Sequence, residues 1–303
     1  MTGQQAVDLI HQEAWTGRKP GLSRTLELLD RVGNPHRQLK YVHITGTNGK
    51  GSTAAMIAAG LTAAGLKTGL STSPPLWTFH ERFQVNGQPI PDAALGRIAE
   101  RVIAAGKGMD DPATEFELMT AVGMLWFLEA ECDIVVLEVG LGGRLDSTNV
   151  IPAPEAAVIT NIGLEHTAEL GNTRALIAAE KAGIIKPGCD AVLYGQSREV
   201  EEVVEAACRE QNVPLTRTDP AGLEVLCSGL TGQTFLYRGS GPYHIPLLGA
   251  HQLYNAAAAL ETLWTLRTRG WALSEDAITQ GLARTVWPAR MELVRRSPDV
   301  ILD

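Results

Sequence analysis

The stretch YVHITGTNGKGSTAAM, Tyr41 to Met56, decides the fold. Its first five residues are an apolar, β-branched run of strand character, GTNGKGS is a glycine-rich turn, and TAAMIAAGLTAAG is rich in helix formers. A strand that turns through glycines into a helix aims backbone N–H groups and the positive end of the helix dipole at one point, where an anion binds. Lys50 can reach outer phosphates there, and Ser52 or Thr53 can meet a magnesium ion. The ordinary phosphate loop reads G-x-x-x-x-G-K-[ST], whereas here Lys50 follows the short run Gly46, Thr47, Asn48, Gly49, and Gly51 separates it from Ser52. Gly51 is read as the residue that lets the backbone approach the phosphates. A purely structural turn is the plain alternative, and the lysine and hydroxyls together tell against it. Taken alone, the loop says nucleoside triphosphate and names no reaction.

Outward from the loop, short β-branched runs alternate with helical patterns: LKYVHIT with STAAMIAAGLTAAG, FELMTAVGMLWFLEA with CDIVVLEVG, EAAVITNI with TRALIAAEKAGII, and DAVLYG with REVEEVVEAACRE. This alternation predicts an α/β fold, a mostly parallel sheet with helices on both faces and ligands at the carboxyl ends of its strands. Near residues 223–247 the runs LEVLCSGLTGQTFLYRGSGPYHIPL, broken by glycine turns, predict a small antiparallel portion. Helical patterns resume in HQLYNAAAALETLWTLRTRG and LSEDAITQGLAR. Pro288 is then expected to stop the helix, and VILD to start a fresh strand.

The composition narrows the function. With 303 residues, 45% of them hydrophobic, the chain has enough material for one large α/β domain or two small ones. A formal charge of -8 argues against nucleic acid bound by bulk electrostatics, and an anionic substrate would need locally placed cations. Cys132, Cys189, Cys208 and Cys227 are widely spaced and are expected to be buried reduced thiols, with no zinc site or disulfide framework. The N-terminal segment has acidic residues and no apolar run before a cleavage site, and no run of about 18 apolar residues occurs. A cytoplasmic, soluble protein with no membrane partner is expected.

The loop variant TGTNGKGS resembles that of the Mur ligase superfamily, ATP-dependent amide-forming ligases acting on carboxylates, and more narrowly that of folylpolyglutamate synthases and dihydrofolate synthases. The resemblance runs on through GRKPGLSRTLELLDRVGNP, STSPPL with ERFQVNG, LEVGLGGRLDSTNV, ITNIGLEHTAELGNT, IAAEKAGIIKPG, GAHQLYNAAAAL and WPARMELV. It implies a ligase that uses ATP and Mg2+ to join L-glutamate to folate or dihydropteroate through an acyl phosphate, and a monomer is expected.

Residue by residue, the resemblance implies that Gly46, Thr47, Asn48, Gly49, Lys50, Gly51 and Ser52 hold ATP phosphates, and that Asn255, Arg290 and Asp303 meet its base and sugar. Glu138 closes the apolar run DIVVLE, where a carboxylate at the sheet's carboxyl edge can meet a metal. Ser73, Glu138 and His166 match the family's magnesium ligands, with Ser52 from the loop. Lys181 matches the lysine that carbon dioxide converts to a carbamate, an anion able to help hold a second magnesium. Lys50, Glu138, His166 and Lys181 are thus the catalytic candidates. Phe116, Glu117, Leu145, Asp146 and Ser147 are implied as pterin-side contacts, although Phe116 could equally be core and an exposed Arg144–Asp146 pair would do little.

Two departures stand out: Glu165 precedes His166 where the family has Asp, and Ala289 replaces the glycine of W-P-G-R, which removes glycine's freedom from the hinge. The resemblance divides the chain into a Mur-ligase-like ATP-binding domain over 1–287 and, over 288–303, a linker and the first strand of a C-terminal glutamate-ligase domain. A chain of this extent is expected to bind nucleotide and to ligate poorly. A UDP-muramoyl peptide ligase is the rival within the superfamily, but only about forty residues precede the loop, too few for its extra domain. A non-catalytic ATP-binding switch is the rival outside it, and leaves Glu138, His166 and Lys181 unexplained.

Overall fold

A computed structural model describes residues 1–12 and 21–303; the opening of the GRKPGLSR block, residues 17–20, lies outside the described residues. After α1 (Gly3–His11) and α2 (Ser23–Arg31) the chain enters the main sheet at β1 (Tyr41–Thr45), passes the glycine loop into α3 (Lys50–Ala63) and returns as β2 (Thr68–Ser71). Short strands β3 (Phe83–Val85) and β4 (Gln88–Pro89) lead to α4 (Asp92–Gly106), α5 (Glu115–Glu129) and β5 (Ile134–Glu138). Then follow β6 (Ala156–Ile159), α6 (Thr167–Leu170), α7 (Arg174–Ala182), β7 (Asp190–Leu193), α8 (Arg198–Gln211) and β8 (Leu215–Arg217). Three further strands, β9 (Leu223–Gly229), β10 (Gly232–Tyr237) and β11 (Ser240–Ile245), precede α9 (Ala250–Thr268), α10 (Glu275–Ala283), β12 (Glu292–Arg295) and β13 (Val300–Leu302).

The main sheet runs β4-β3-β2-β5-β1-β6-β7-β8, parallel except for β3 and β4 at one edge. Alternation along its strands sorts the core into two faces. Val42, Ile44, Val136 and Val158 point to the face covered by α3, α9 and α10, while Val135, Leu137, Ala157 and Ile159 point to the face covered by α4, α5, α7 and α8. The expected antiparallel portion is the sheet β11-β10-β9, whose Phe235, Tyr237, Tyr243 and Ile245 complete the core over α3 and α9. No helix among the described residues is long and apolar enough to cross a membrane.

Two expectations change and one holds. The last helix stops at Ala283, before Pro288; there the Thr285 hydroxyl donates to Gly281 O at 3.2 Å, satisfying a carbonyl that a continuing helix would have used. VILD forms a strand as expected, β13, which pairs antiparallel with β12, Glu292 opposite Leu302. Cys132, Cys189 and Cys208 are buried free thiols as expected, but Cys227 lies exposed on edge strand β9.

Candidate functional site

The strand order reverses around β1, which lies between β5 and β6, so the connections on its two sides part at its carboxyl end and open a crevice there. The glycine loop fills that position. Thr47 and Asn48 donate their N–H groups to Asn161 O at 2.7 and 3.2 Å, and the Thr160 hydroxyl donates to Asn48 O at 2.8 Å, fixing the loop against the end of β6. Gly46 leaves room for that hydroxyl, which a Cβ would strike, and Gly49, at φ +84°, starts α3 under the side-chain amide of Asn255. Lys50 Nζ lies over the loop, donating to Gly46 O and Thr47 O at 3.1 Å each. On the far side Gln252 Nε2 donates to Ser52 Oγ at 3.3 Å and receives Asn255 Nδ2 on its Oε1 at 3.0 Å, so α9 carries Asn255 to the loop. The space beside Gly51 is not open: the Trp287 indole occupies it.

Glu138 ends β5 in the same crevice. It is buried, and its Oε2 accepts the Ser73 N–H at 3.0 Å. Burial raises its carboxyl to about 7, although the charges of Lys50, Arg290 and Arg82 and the Ser73 N–H all pull it down. Three cations around one carboxylate supply the local positive charge that an acidic chain needs to receive an anion.

Lys181 is a core residue, contrary to the solvated position that a helical lysine usually takes. Only 3% of it is exposed, and its Nζ donates to Gly46 O at 2.7 Å. Burial, then the charge of Lys50, lowers its ammonium to about 8, so the neutral, nucleophilic amine is accessible near physiological pH. His166 opens α6 in the left-handed conformation, φ +48°, with its ring half exposed and Nε2 3.7 Å from Glu165 Oε1. Arg290 donates to Ala289 O at 2.6 Å, and Asp303 accepts from Met291 N within the β12–β13 hairpin.

The pterin-side candidates separate. Phe116 lines a small cleft with Ser73, Arg82, Thr120, Glu138 and Thr148, its ring over Gly140, where a Cβ would collide with it. Glu117 does not reach that cleft as a free carboxylate: it is buried, ion-paired with Arg24 at 3.0 Å, and accepts the Thr114 N–H at 2.7 Å. Asp146 is likewise engaged, one oxygen accepting from Thr148 N and Oγ1 at 2.9 and 2.5 Å, the other from Leu141 N at 2.8 Å. It shapes its own loop, and Arg144 pairs with Glu180 at 2.7 Å instead of with Asp146. Leu145 is exposed and Ser147 buried.

Sequence reasoning missed Arg82. It lines the cleft beside Glu138 without forming an ion pair, its guanidinium lies 5.6 Å from the Phe79 ring centre, and its buried Nε has no hydrogen-bond partner among the described residues. An unpaired buried donor beside a cleft marks a place for an acceptor. Its block, ERFQVNG, carried the resemblance, yet nothing in the sequence set this arginine apart.

Comparison with known proteins agrees with the fold. The Mur ligase middle domain matches residues 44–263. The dihydrofolate synthase/folylpolyglutamate synthase of Bacillus subtilis is 39% identical over 311 residues, covering 99% of this chain and 72% of that protein. The folylpolyglutamate synthase of Lacticaseibacillus casei is 38% identical over 316 residues, covering 100% and 73%. Among solved structures, an FPGS–AMPPCP–folate complex superposes with a TM-score of 0.94 at 37% identity, covering all of this chain and 76% of that one.

Proposed function

Because this chain belongs to the folylpolyglutamate synthase and dihydrofolate synthase family, ATP-dependent amide-forming ligases built on the Mur ligase middle domain, we propose that its crevice activates the carboxylate of a folate or dihydropteroate for attack by L-glutamate. A carboxylate oxygen is a poor leaving group in water. Transfer of the ATP γ-phosphoryl group to that oxygen gives an acyl phosphate and ADP; the amine of glutamate then attacks the carbonyl carbon, and phosphate leaves as the amide forms. Such transfer depends mainly on alignment and charge neutralisation. The loop N–H groups and Lys50 hold and neutralise the phosphates, Asn255 fixes the loop beside the nucleotide, and Arg82 receives the substrate carboxylate in the cleft under Phe116. Arg290 adds positive charge on the Glu138 side.

Magnesium fits the donors present. Ser52, Ser73 and Glu138 offer only hard oxygen atoms, and among the described residues no cluster of three or more acidic, histidine or cysteine side chains forms a closed cage. That suits an ion which takes one or two carboxylates and leaves its other positions to phosphate and water. When bound, it supplies charge neutralisation on the phosphate oxygens. The neutral Lys181 amine is suited to add to carbon dioxide, losing a proton to become a carbamate, and with His166 it forms the candidate second set of ligands.

The observation that carries this reading is the buried Glu138 at the end of β5, facing the charges of Lys50, Arg82 and Arg290. Calorimetry tests it, with dihydropteroate, tetrahydrofolate and a UDP-muramoyl peptide each titrated in the presence of magnesium and AMPPCP. Binding of either pterin is expected. Binding of the muramoyl peptide alone overturns the substrate class, and nucleotide binding unaffected by any of the three favours a switch over a ligase.

A further inference from the structure

The helix that carries the phosphate loop is clasped at both ends by one segment. α10 crosses α3 with Gly281 against Gly60, so close that a Cβ on Gly281 would strike the Gly60 backbone. Past Ala283 the chain turns back and lays the Trp287 indole on the first turn of the same helix, about 13 Å away along its axis. There a Cβ on Gly51 would lie 2.6 Å from Trp287 Cζ2 and 3.2 Å from Cε2. Gly51 has no positive φ, so it is not a glycine for want of conformational freedom. Its side-chain space is what the indole uses. This is also the residue inserted between lysine and serine, the feature that makes the loop depart from the ordinary pattern.

Trp287 is only half-buried. Its other surroundings are a groove of about 890 Å³ between α3, the 74–77 loop and the 284–290 segment. Three residues further on, Arg290 brings its charge to Glu138. One short segment therefore lays an indole on the phosphate loop and carries, on the same groove, a cation whose charge acts on the buried carboxylate.

We propose that Trp287 is a positioning residue for the nucleotide: its indole, seated in the space left by Gly51, braces the Lys50–Ser52 turn and couples the phosphate loop to the segment that carries Arg290. The proposal rests on the nucleotide reading of the loop given above. Glycine at this place is a receptor for an aromatic ring, and the loop and the 284–290 segment move as a unit.

The test is a double-substitution cycle read by calorimetric binding of AMPPCP with magnesium to the 303-residue chain, with thermal unfolding as the control for folding. Alanine in a first helical turn ordinarily stabilises a helix relative to glycine, so propensity alone predicts no loss from Gly51→Ala. If the indole occupies that space, Gly51→Ala weakens AMPPCP binding about tenfold, as expected of overpacking. In a Trp287→Leu background, which by itself weakens binding about threefold, the same alanine costs no more than about a further twofold. Equal costs in the two backgrounds overturn the proposal.

Trp287→Phe keeps a ring and guards against loss of fold. AMPPCP is expected to change the tryptophan emission of the parent chain and to leave that of Trp287→Phe unchanged, while an identical change in both overturns the coupling. A folded parent chain that binds no AMPPCP overturns the nucleotide reading itself, and so is distinguished from failure of the coupling alone.

Discussion

Lys181 Nζ donates to Gly46 O at 2.7 Å, so the last turn of α7 is fastened to the first glycine of the phosphate loop. Lys181→Ala removes both the tie and the amine and leaves, in the buried place of the lysine stem, a cavity that a small carboxylate can enter. Ligation is expected to fall at least about tenfold, and added acetate, standing in for the carbamate, to restore part of it. The measurement is glutamate incorporation with and without acetate, and full turnover by the variant would remove Lys181 from the mechanism.

Arg24 and Glu117 form a buried pair between α2 and α5, with Asp111 on the same guanidinium at 3.1 Å. Removing Arg24 leaves the buried Glu117 carboxylate with the Thr114 N–H, whereas removing Glu117 leaves Arg24 still paired with Asp111. Arg24→Met alone should therefore cost about 3–5 kcal/mol in urea unfolding, and Arg24→Met together with Glu117→Leu considerably less. A Glu117→Gln protein of unchanged stability that had lost pterin binding would return this residue to the substrate site.

His43 is fully buried on β1, with Nε2 2.9 Å from the Thr148 hydroxyl. That hydroxyl donates to Asp146, so Nε2 carries the proton, and Nδ1 has no hydrogen-bond partner among the described residues. Burial, then the charge of Lys186, lowers the imidazole from 6.5 to about 3. Between those values the unfolded chain binds a proton that the folded one refuses, so stability is lost as pH falls through this window, by at most about 1.4 kcal/mol per pH unit. His36, lowered to about 4 chiefly by burial, acts in the same direction. His43→Gln should show a shallower slope of unfolding free energy between pH 4 and 6, and an unchanged slope would mean that the native histidine is protonated there.

Ala289 holds φ +50°, a left-handed conformation in which an L side chain costs about 1–2 kcal/mol. Ala289→Gly relieves that cost but adds about 0.5–1 kcal/mol of chain entropy and removes a buried methyl. A net gain of about 0.5 kcal/mol is expected from thermal unfolding. Destabilisation would show that packing of the methyl outweighs the backbone.

The passage from an apolar β-branched run through glycines into helix formers across Tyr41–Met56 made β1, the loop and α3 legible, and the unbroken apolar runs IVVLE and AAVI did the same for β5 and β6. β2 was not legible. It reads TGLS, too short and too glycine-rich to stand out, because Gly69 leaves room for Phe127 from α5. The helix end at Ala283 escaped notice because its stop is a hydroxyl two residues on, while the visible proline comes later. Charged side chains were the hardest to assign. Glu117 and Asp146 stand in the sequence like groups waiting for a ligand, and only the fold reveals that Arg24, 93 residues away, and the Leu141 N–H already satisfy them. Arg82 is the converse, an ordinary arginine in the sequence whose Nε has no partner among the described residues.

The layer behind the phosphate loop is assembled from distant parts of the polypeptide: Met56, Ile57 and Leu61 of α3 pack with Leu253, Leu260 and Leu263 of α9 and with Ile278 and Leu282 of α10. On the ribosome, α3 emerges about two hundred residues ahead of that cover, a delay of roughly 10–40 s at ordinary elongation rates. Throughout that interval its oily flank has only nascent neighbours, and a chaperone that shields apolar segments has a substrate. Competence to grip a phosphate is therefore acquired late in synthesis, although the loop itself is made early.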